Sequence, residues 1–156
     1  MVLHWHKRMV SSIICSTFMD RKAERVFYDV VLEDLAQVRQ FVRETAVSQG
    51  YDPTAIGEFF VAVNEAVVNI IQHGYQNSPG SITVMLTSSP QSLTVTLLDN
   101  APSFDPTIVA SPDITLPLAE RPFGGIGVHI MREFCDKIHY QRNAHDKNEL
   151  TLIKYV

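Results

Sequence analysis

From Phe59 to Ile71 the chain carries a single charge, Glu65, in a run otherwise built from Phe, Val, Ala, Ile and two asparagines. A helix this apolar around most of its girth cannot lie on a surface and must be packed into the body of a fold. At about 100° per residue, Phe60, Val63, Val67, Ile70 and Ile71 share one broad arc. Glu65, Asn69 and His73 form an i, i+4, i+8 stripe on the other side. Alone, Glu65 and Asn69 would suit a solvent face, but Ala62, Ala66 and Val68 beside them give it too little polar cover. A carboxamide oxygen is a hard neutral ligand suited to magnesium, which takes its remaining oxygens from water and substrate phosphates. A carboxylate one turn away can accept a proton from an attacking hydroxyl or water. His73 also satisfies the helix dipole simply by standing in the last turn.

Two further features lie downstream. Asp99 ends the alternating run Leu93-Thr94-Val95-Thr96-Leu97-Leu98, so it stands where a strand meets a loop. Asp-Asn is a common turn pair; facing a ligand, the same carboxylate would accept a hydrogen bond from an exocyclic amine such as that of adenine. Gly124-Gly125-Ile126-Gly127 then opens a helix. Such a turn lets backbone N–H groups approach a phosphate closely. It lacks the Gly-Lys-Ser/Thr of a Walker A loop and the strand context of a dinucleotide fold.

The 156 residues, 46% hydrophobic and 19% charged, suit one globular domain with a real core. A net charge of −4 argues against nucleic acid as the primary partner. Cys15 and Cys135 stand apart without Cys-x-x-Cys spacing, which fits a reducing cytoplasm and neither a zinc site nor a disulfide framework. Residues 1–22 read as an N-terminal appendage or an extra edge strand, with Met9 and Met19 as candidate starts. Their apolar run is too short to span a bilayer and poorly shaped for a signal peptide. Residues 23–156 read as a single domain.

Within it, the pattern predicts a strand over Arg25–Leu32 and a helix from Asp34 to Gly50. A second helix runs from Asp52-Pro53 to His73, with Gly74 as its C-cap. Strands follow at Ser81–Ser88 and Ser92–Leu98, joined by Ser89-Pro90-Gln91. Asn100 to Phe123 is proline-punctuated and aperiodic, the signature of a lid or binding loop. A helix over Gly127–Asp136 and strands at Lys137–Arg142 and Glu149–Val156 complete the chain. The order implies an α+β, two-layer sandwich with helices on one face of a mixed sheet.

Taken in order, these motifs resemble the GHKL ATPase superfamily, and within it the bacterial anti-sigma-factor serine/threonine kinases, over about residues 24–156. Asn64-Glu65-Ala66-Val67-x-Asn69-x-x-x-His73-Gly74-Tyr75 resembles the N-box; Asp99 to Pro106 resembles the first glycine box, and Gly125-x-Gly127 the second. The closing run Asn148 to Lys154 resembles the family's last strand. The resemblance implies a Bergerat-type ATP-binding fold with an ATP lid over residues 104–123. It implies Asn69 as the Mg2+ ligand, Glu65 as the base for the acceptor serine or threonine, and Asp99, assisted by Thr151, as the reader of adenine. Gly125, Ile126 and Gly127 would cradle the phosphates, while His73, Ala101 and Phe104 would line the ATP site. Arg121 is the nearest arginine upstream of the glycine turn.

Ala101 stands where the family usually has glycine. The function implied is an ATP- and magnesium-dependent kinase that binds a sigma factor and phosphorylates a STAS-type anti-anti-sigma protein. Its setting would be cytoplasmic, with no membrane or direct nucleic-acid contact and homodimers among the family's states. The competing expectation is a non-catalytic ATP-binding module that sequesters a partner.

Overall fold

Alternation decides the sheet. Ile82, Val84 and Leu86 are fully buried while their neighbours are half-exposed, and Leu93, Val95 and Leu97 repeat the pattern. Each strand therefore buries one face and leaves the other to solvent. The computed structural model describes residues 21–110 and 125–156. The elements are β1 (Arg21–Val30), a 3-10 turn (Leu32–Asp34), α1 (Leu35–Ser48), α2 (Gly57–Asn69) and a π-helical turn (Ile70–Gly74). After these come β2 (Gly80–Ser89), β3 (Ser92–Asp99), α3 (Ile126–Phe134), β4 (Lys137–Arg142) and β5 (Asn148–Tyr155).

The five strands run in the order β1-β2-β3-β5-β4. Every pairing is antiparallel. The α+β class and the two layers are as expected, but the sheet is not mixed. The helical excursion after β1 returns to β2 antiparallel at its side, and the one after β3 returns through the edge strand β4 before β5 closes beside β3. No crossover leaves two neighbours parallel.

Helix α1 buries Val38, Val42 and Ala46, one residue per turn, and α2 buries Phe59, Ala62, Val63, Ala66 and Val67. They meet the inner face of the sheet in one continuous core that also takes Val128 and Met131 of α3. A fully buried phenylalanine such as Phe59 is worth about 1.5–3 kcal/mol of transfer free energy. Cys135, 8% exposed, belongs to this core, and burial pushes its thiol up to about 12.

Local details differ from the sequence reading for identifiable reasons. Asp52 Oδ1 accepts the Thr54 N–H at 2.9 Å, closing a turn instead of capping a helix, so α2 starts only at Gly57. Gly50 does terminate α1 in the left-handed region, at φ 99°. Gly74 does not do so for α2: among the described glycines only Gly50 and Gly125 have positive φ. Its constraint is space, because a Cβ there would stand 2.9 Å from the Ala101 methyl. Strand β1 already begins at Arg21, inside the stretch read as an appendage; residues 1–20 lie outside the described residues. Among the described residues no helix is long and apolar enough to cross a membrane.

Candidate functional site

Helix α2 carries Glu65 and Asn69 one turn apart, both half-buried, and α3 packs against that helix. At Gly127 a Cβ would lie 2.8 Å from Glu65 Oε2 and 3.6 Å from each polar atom of the Asn69 amide. A side chain there would have to displace the Glu65 carboxylate. Gly125 is the N-cap residue of that helix, in the left-handed conformation at φ 82°, where its carbonyl accepts the His129 N–H at 3.0 Å. The opening turn of α3 thus stands beside the acid–amide pair, and its free backbone donors suit a bound anion.

The Asn69 amide is the unsettled group. Its Nδ2 is sealed from solvent and has no hydrogen-bond partner among the described residues. An orphaned donor of this kind costs about 1–3 kcal/mol. Such an unmade bond calls for an explanation, and a group bound beside it is one. Among the described residues no group of three or more His, Cys, Asp or Glu side chains is placed to hold a metal ion. A cation here would rest on one amide oxygen and on the oxygens of its substrate, the coordination magnesium accepts. The residues present fit Mg2+ on that chemistry.

At the other end, Asp99 is the last residue of β3 and only 4% exposed. Its Oδ1 accepts the Ala101 N–H at 2.8 Å and the Asn148 Nδ2 at 2.7 Å. Burial holds its carboxyl above the ordinary aspartate value, while the bonds from Asn148 and Ala101 and the charge of Arg142 pull it back. Asn148, also 4% exposed, donates a second bond to the Ala101 carbonyl at 2.9 Å. Its own oxygen accepts the Tyr140 hydroxyl at 2.7 Å and the Arg142 guanidinium at 3.2 Å. Tyr140 in turn meets the Ser103 hydroxyl at 2.7 Å. Tyr75 closes the other flank, accepting the Asn100 N–H at 3.0 Å and donating to the Ser81 carbonyl at 2.7 Å.

One cleft takes in Asn69 from the first group and Asp99 and Asn148 from the second, with Ala101, Phe104 and Leu150 also lining it. Ala101 sits there without a left-handed backbone, and its methyl is accommodated because residue 74 is glycine. The Phe104 ring, 38% exposed, lies 6.3 Å from that of His73 at a tilt of 38°. Ile126 at the tip of α3 is exposed. Below Phe104, Arg132 of α3 donates to the carbonyls of Pro106, Thr107 and Val109, fastening this stretch of chain to the helix.

Two assignments need correction. Thr151 does not stand with Asp99. It pairs with Thr96, their hydroxyls 3.2 Å apart, on the half-exposed face of the sheet, whereas Asp99, Asn148 and Leu150 occupy the buried face. The period of two puts adjacent residues on opposite faces. The cleft therefore receives Leu150. His73 also leaves the Glu65–Asn69 stripe, because the helix widens: the Tyr75 N–H bonds the Ile70 carbonyl, an i→i+5 step, at 2.8 Å. It reaches the cleft only through its ring contact with Phe104. Gly124, Arg121 and residues 111–123 of the expected lid lie outside the described residues.

Asn148, Tyr140 and Arg142 were missed as site residues. The available signal was a polar Asn at the start of the strand whose inward positions are Leu150 and Leu152. It acquires meaning only from the register that sets Asn148 opposite both Asp99 and Arg142.

Known proteins resemble this chain. The serine-protein kinase RsbW of Bacillus cereus is 29% identical over 129 residues, spanning 80% of this chain and 79% of its own. The Bacillus anthracis protein of the same name is 28% identical over the same length. A crystal structure of the RsbU and RsbW domains of a Mycobacterium tuberculosis protein superposes with a TM-score of 0.55 at 18% identity. That match covers 84% of this chain and 32% of the other, and speaks for the fold. The family profile for the histidine kinase-like ATPase domain matches residues 30–154, and the chain belongs to that family.

Proposed function

We propose that this protein is an ATP- and magnesium-dependent serine/threonine kinase and anti-sigma factor, acting in the cytoplasm on a STAS-type anti-anti-sigma protein. The observation that carries the reading is the meeting of Glu65, Asn69 and Gly127, with Asn69 also lining the cleft that Asp99 lines. Relatives named as serine-protein kinases support the reaction class.

In this reading Asp99 accepts the adenine amine and Ala101 and Phe104 flank the base. The opening N–H groups of α3 receive the phosphates, and Gly127 keeps that approach open. Asn69 would hold Mg2+ through its amide oxygen, and the ion would supply positive charge against the phosphates. Glu65 takes the proton from the acceptor hydroxyl as the new O–P bond forms and the bond from the γ-phosphorus to the ADP oxygen breaks. Most of the work is positioning and charge stabilisation, as in phosphoryl transfer generally.

The test is calorimetric titration of ATP with and without magnesium, followed by transfer of radiolabelled phosphate to the organism's small STAS-domain proteins. Magnesium-dependent binding with labelling of one such protein is the expected result. ATP binding without transfer to any of them would leave only the nucleotide-binding half of the proposal standing.

A further inference from the structure

We propose that Asn148, held from behind by Tyr140 and Arg142, is the positioning residue that makes the base end select a 6-aminopurine nucleotide over a 6-oxopurine one. This rests on Asp99 being the base-reading acceptor. The carboxylate has two oxygens, and the fold uses only one of them. Oδ1 takes both the Asn148 and the Ala101 bonds. Oδ2 takes none among the described residues, and it is not one of the sealed polar atoms without a partner, so it stays open to the cleft. A single acceptor then faces the ligand. An exocyclic amine satisfies it; the carbonyl oxygen of a 6-oxopurine would set acceptor against acceptor, leaving a buried polar pair unmatched.

The selectivity holds only while Asn148 presents its NH2 to Asp99. A carboxamide can turn end for end, and Tyr140 alone would not prevent this, since a hydroxyl both donates and accepts. Arg142 can only donate. Its contact, 3.2 Å from the Asn148 oxygen, fixes which end of the amide faces away from Asp99. With that end fixed, hydrogen bonds run in one direction, from Ser103 to Tyr140 to Asn148 to Asp99. Such a relay polarises along its length. Register provides the alignment: Asp99, Asn148 and Arg142 are consecutive cross-strand partners on β3, β5 and β4.

The experiment measures ATP and GTP affinities, with magnesium, for wild type, Asn148→Leu and Tyr140→Phe across a series of pH values. Circular dichroism checks the fold of each. Wild type is expected to prefer ATP. Asn148→Leu should lose ATP affinity and most of the ATP-over-GTP ratio, by roughly tenfold or more, the scale of one bond to a charged group. The pH below which ATP affinity fades should move upward, because one of the bonds that keeps Asp99 ionised has gone. Tyr140→Phe should shift both readings in the same direction by a smaller factor, and it alone decides if the Leu variant does not fold. Unchanged ratio and pH dependence in the folded variants would overturn the proposal while leaving ATP binding intact. A wild type that binds no ATP would instead sink the nucleotide reading itself, and this inference with it.

Discussion

The two ends of the cleft are built on opposite principles. At the base end each group has its partner before any ligand arrives: Asp99, Asn148, Tyr140, Ser103 and the Ala101 backbone form one bonded chain. At the acid–amide end, Asn69 keeps a buried donor without a partner, and Glu65 has no hydrogen bond or ion pair among the described residues. A bonded network that leaves one acceptor, Asp99 Oδ2, open fixes geometry in advance, which suits a group that must read shape. An unsaturated pair stays costly until something charged completes it, which suits a group that must act. The fold concentrates its bonds around Asp99 and leaves an unmade one beside Glu65.

That contrast can be broken or sharpened by substitution. The largest effect belongs to Asn69→Ala, which should abolish magnesium-dependent ATP binding in calorimetry, since no neighbouring amide can substitute. Because the orphaned donor disappears too, the variant should not unfold more easily than wild type; a clear drop in melting temperature would mean that Asn69 is structural. Next, Glu65→Gln should keep ATP affinity and lose phosphoryl transfer by about a hundredfold or more, the scale of a general base. Equal radiolabel transfer with both proteins would remove Glu65 from its role.

Smaller effects come from the base end. Gly74→Ala sets a new methyl 2.9 Å from that of Ala101, and should destabilise the fold by about 1–3 kcal/mol in urea unfolding. Adding Ala101→Gly should recover much of the loss; additive costs would show that the two methyls do not meet. The smallest is a pH effect. With its carboxyl held above the ordinary value, Asp99 gains a proton early on acidification, so ATP affinity should fade at a pH above the usual aspartate range. The sign for folding is opposite. A raised native value gives a stabilising contribution that is full below the ordinary value and lost as pH rises through the raised one. Mild acid should therefore release nucleotide without Asp99 itself loosening the fold, and a binding profile flat through that range would break the contrast.

Local pattern made much of this legible. The near-chargeless run from Phe59 to Ile71 announced a buried helix, and the alternation in β2 and β3 announced half-buried strands. Glu65, Asn69, Asp99 and the glycine turn were readable because each is marked by its immediate neighbours. What escaped depends on phase or on distant pairing. Thr151 was misplaced by one step of a strand, although Leu150 and Leu152 carried the information about which face turns inward. His73 fell off its stripe because an i→i+5 turn has no mark in hydrophobic spacing. Gly74 looked like a helix cap and proved to be clearance for a methyl far along the chain. The Asn148 relay exists only once three strands are in register, a fact no window of sequence contains.

Arg132 adds a mechanical consequence. One guanidinium grips three consecutive-region carbonyls, of Pro106, Thr107 and Val109, and so rivets the chain leaving Phe104 to the same short helix that opens against Glu65 and Asn69. Any tilt of that helix is transmitted to the far side of the cleft as a displacement of the strap beside Phe104. The molecule thereby carries a crank between its acid–amide pair and the Phe104 side of the cleft, with the Arg132 guanidinium as the pin.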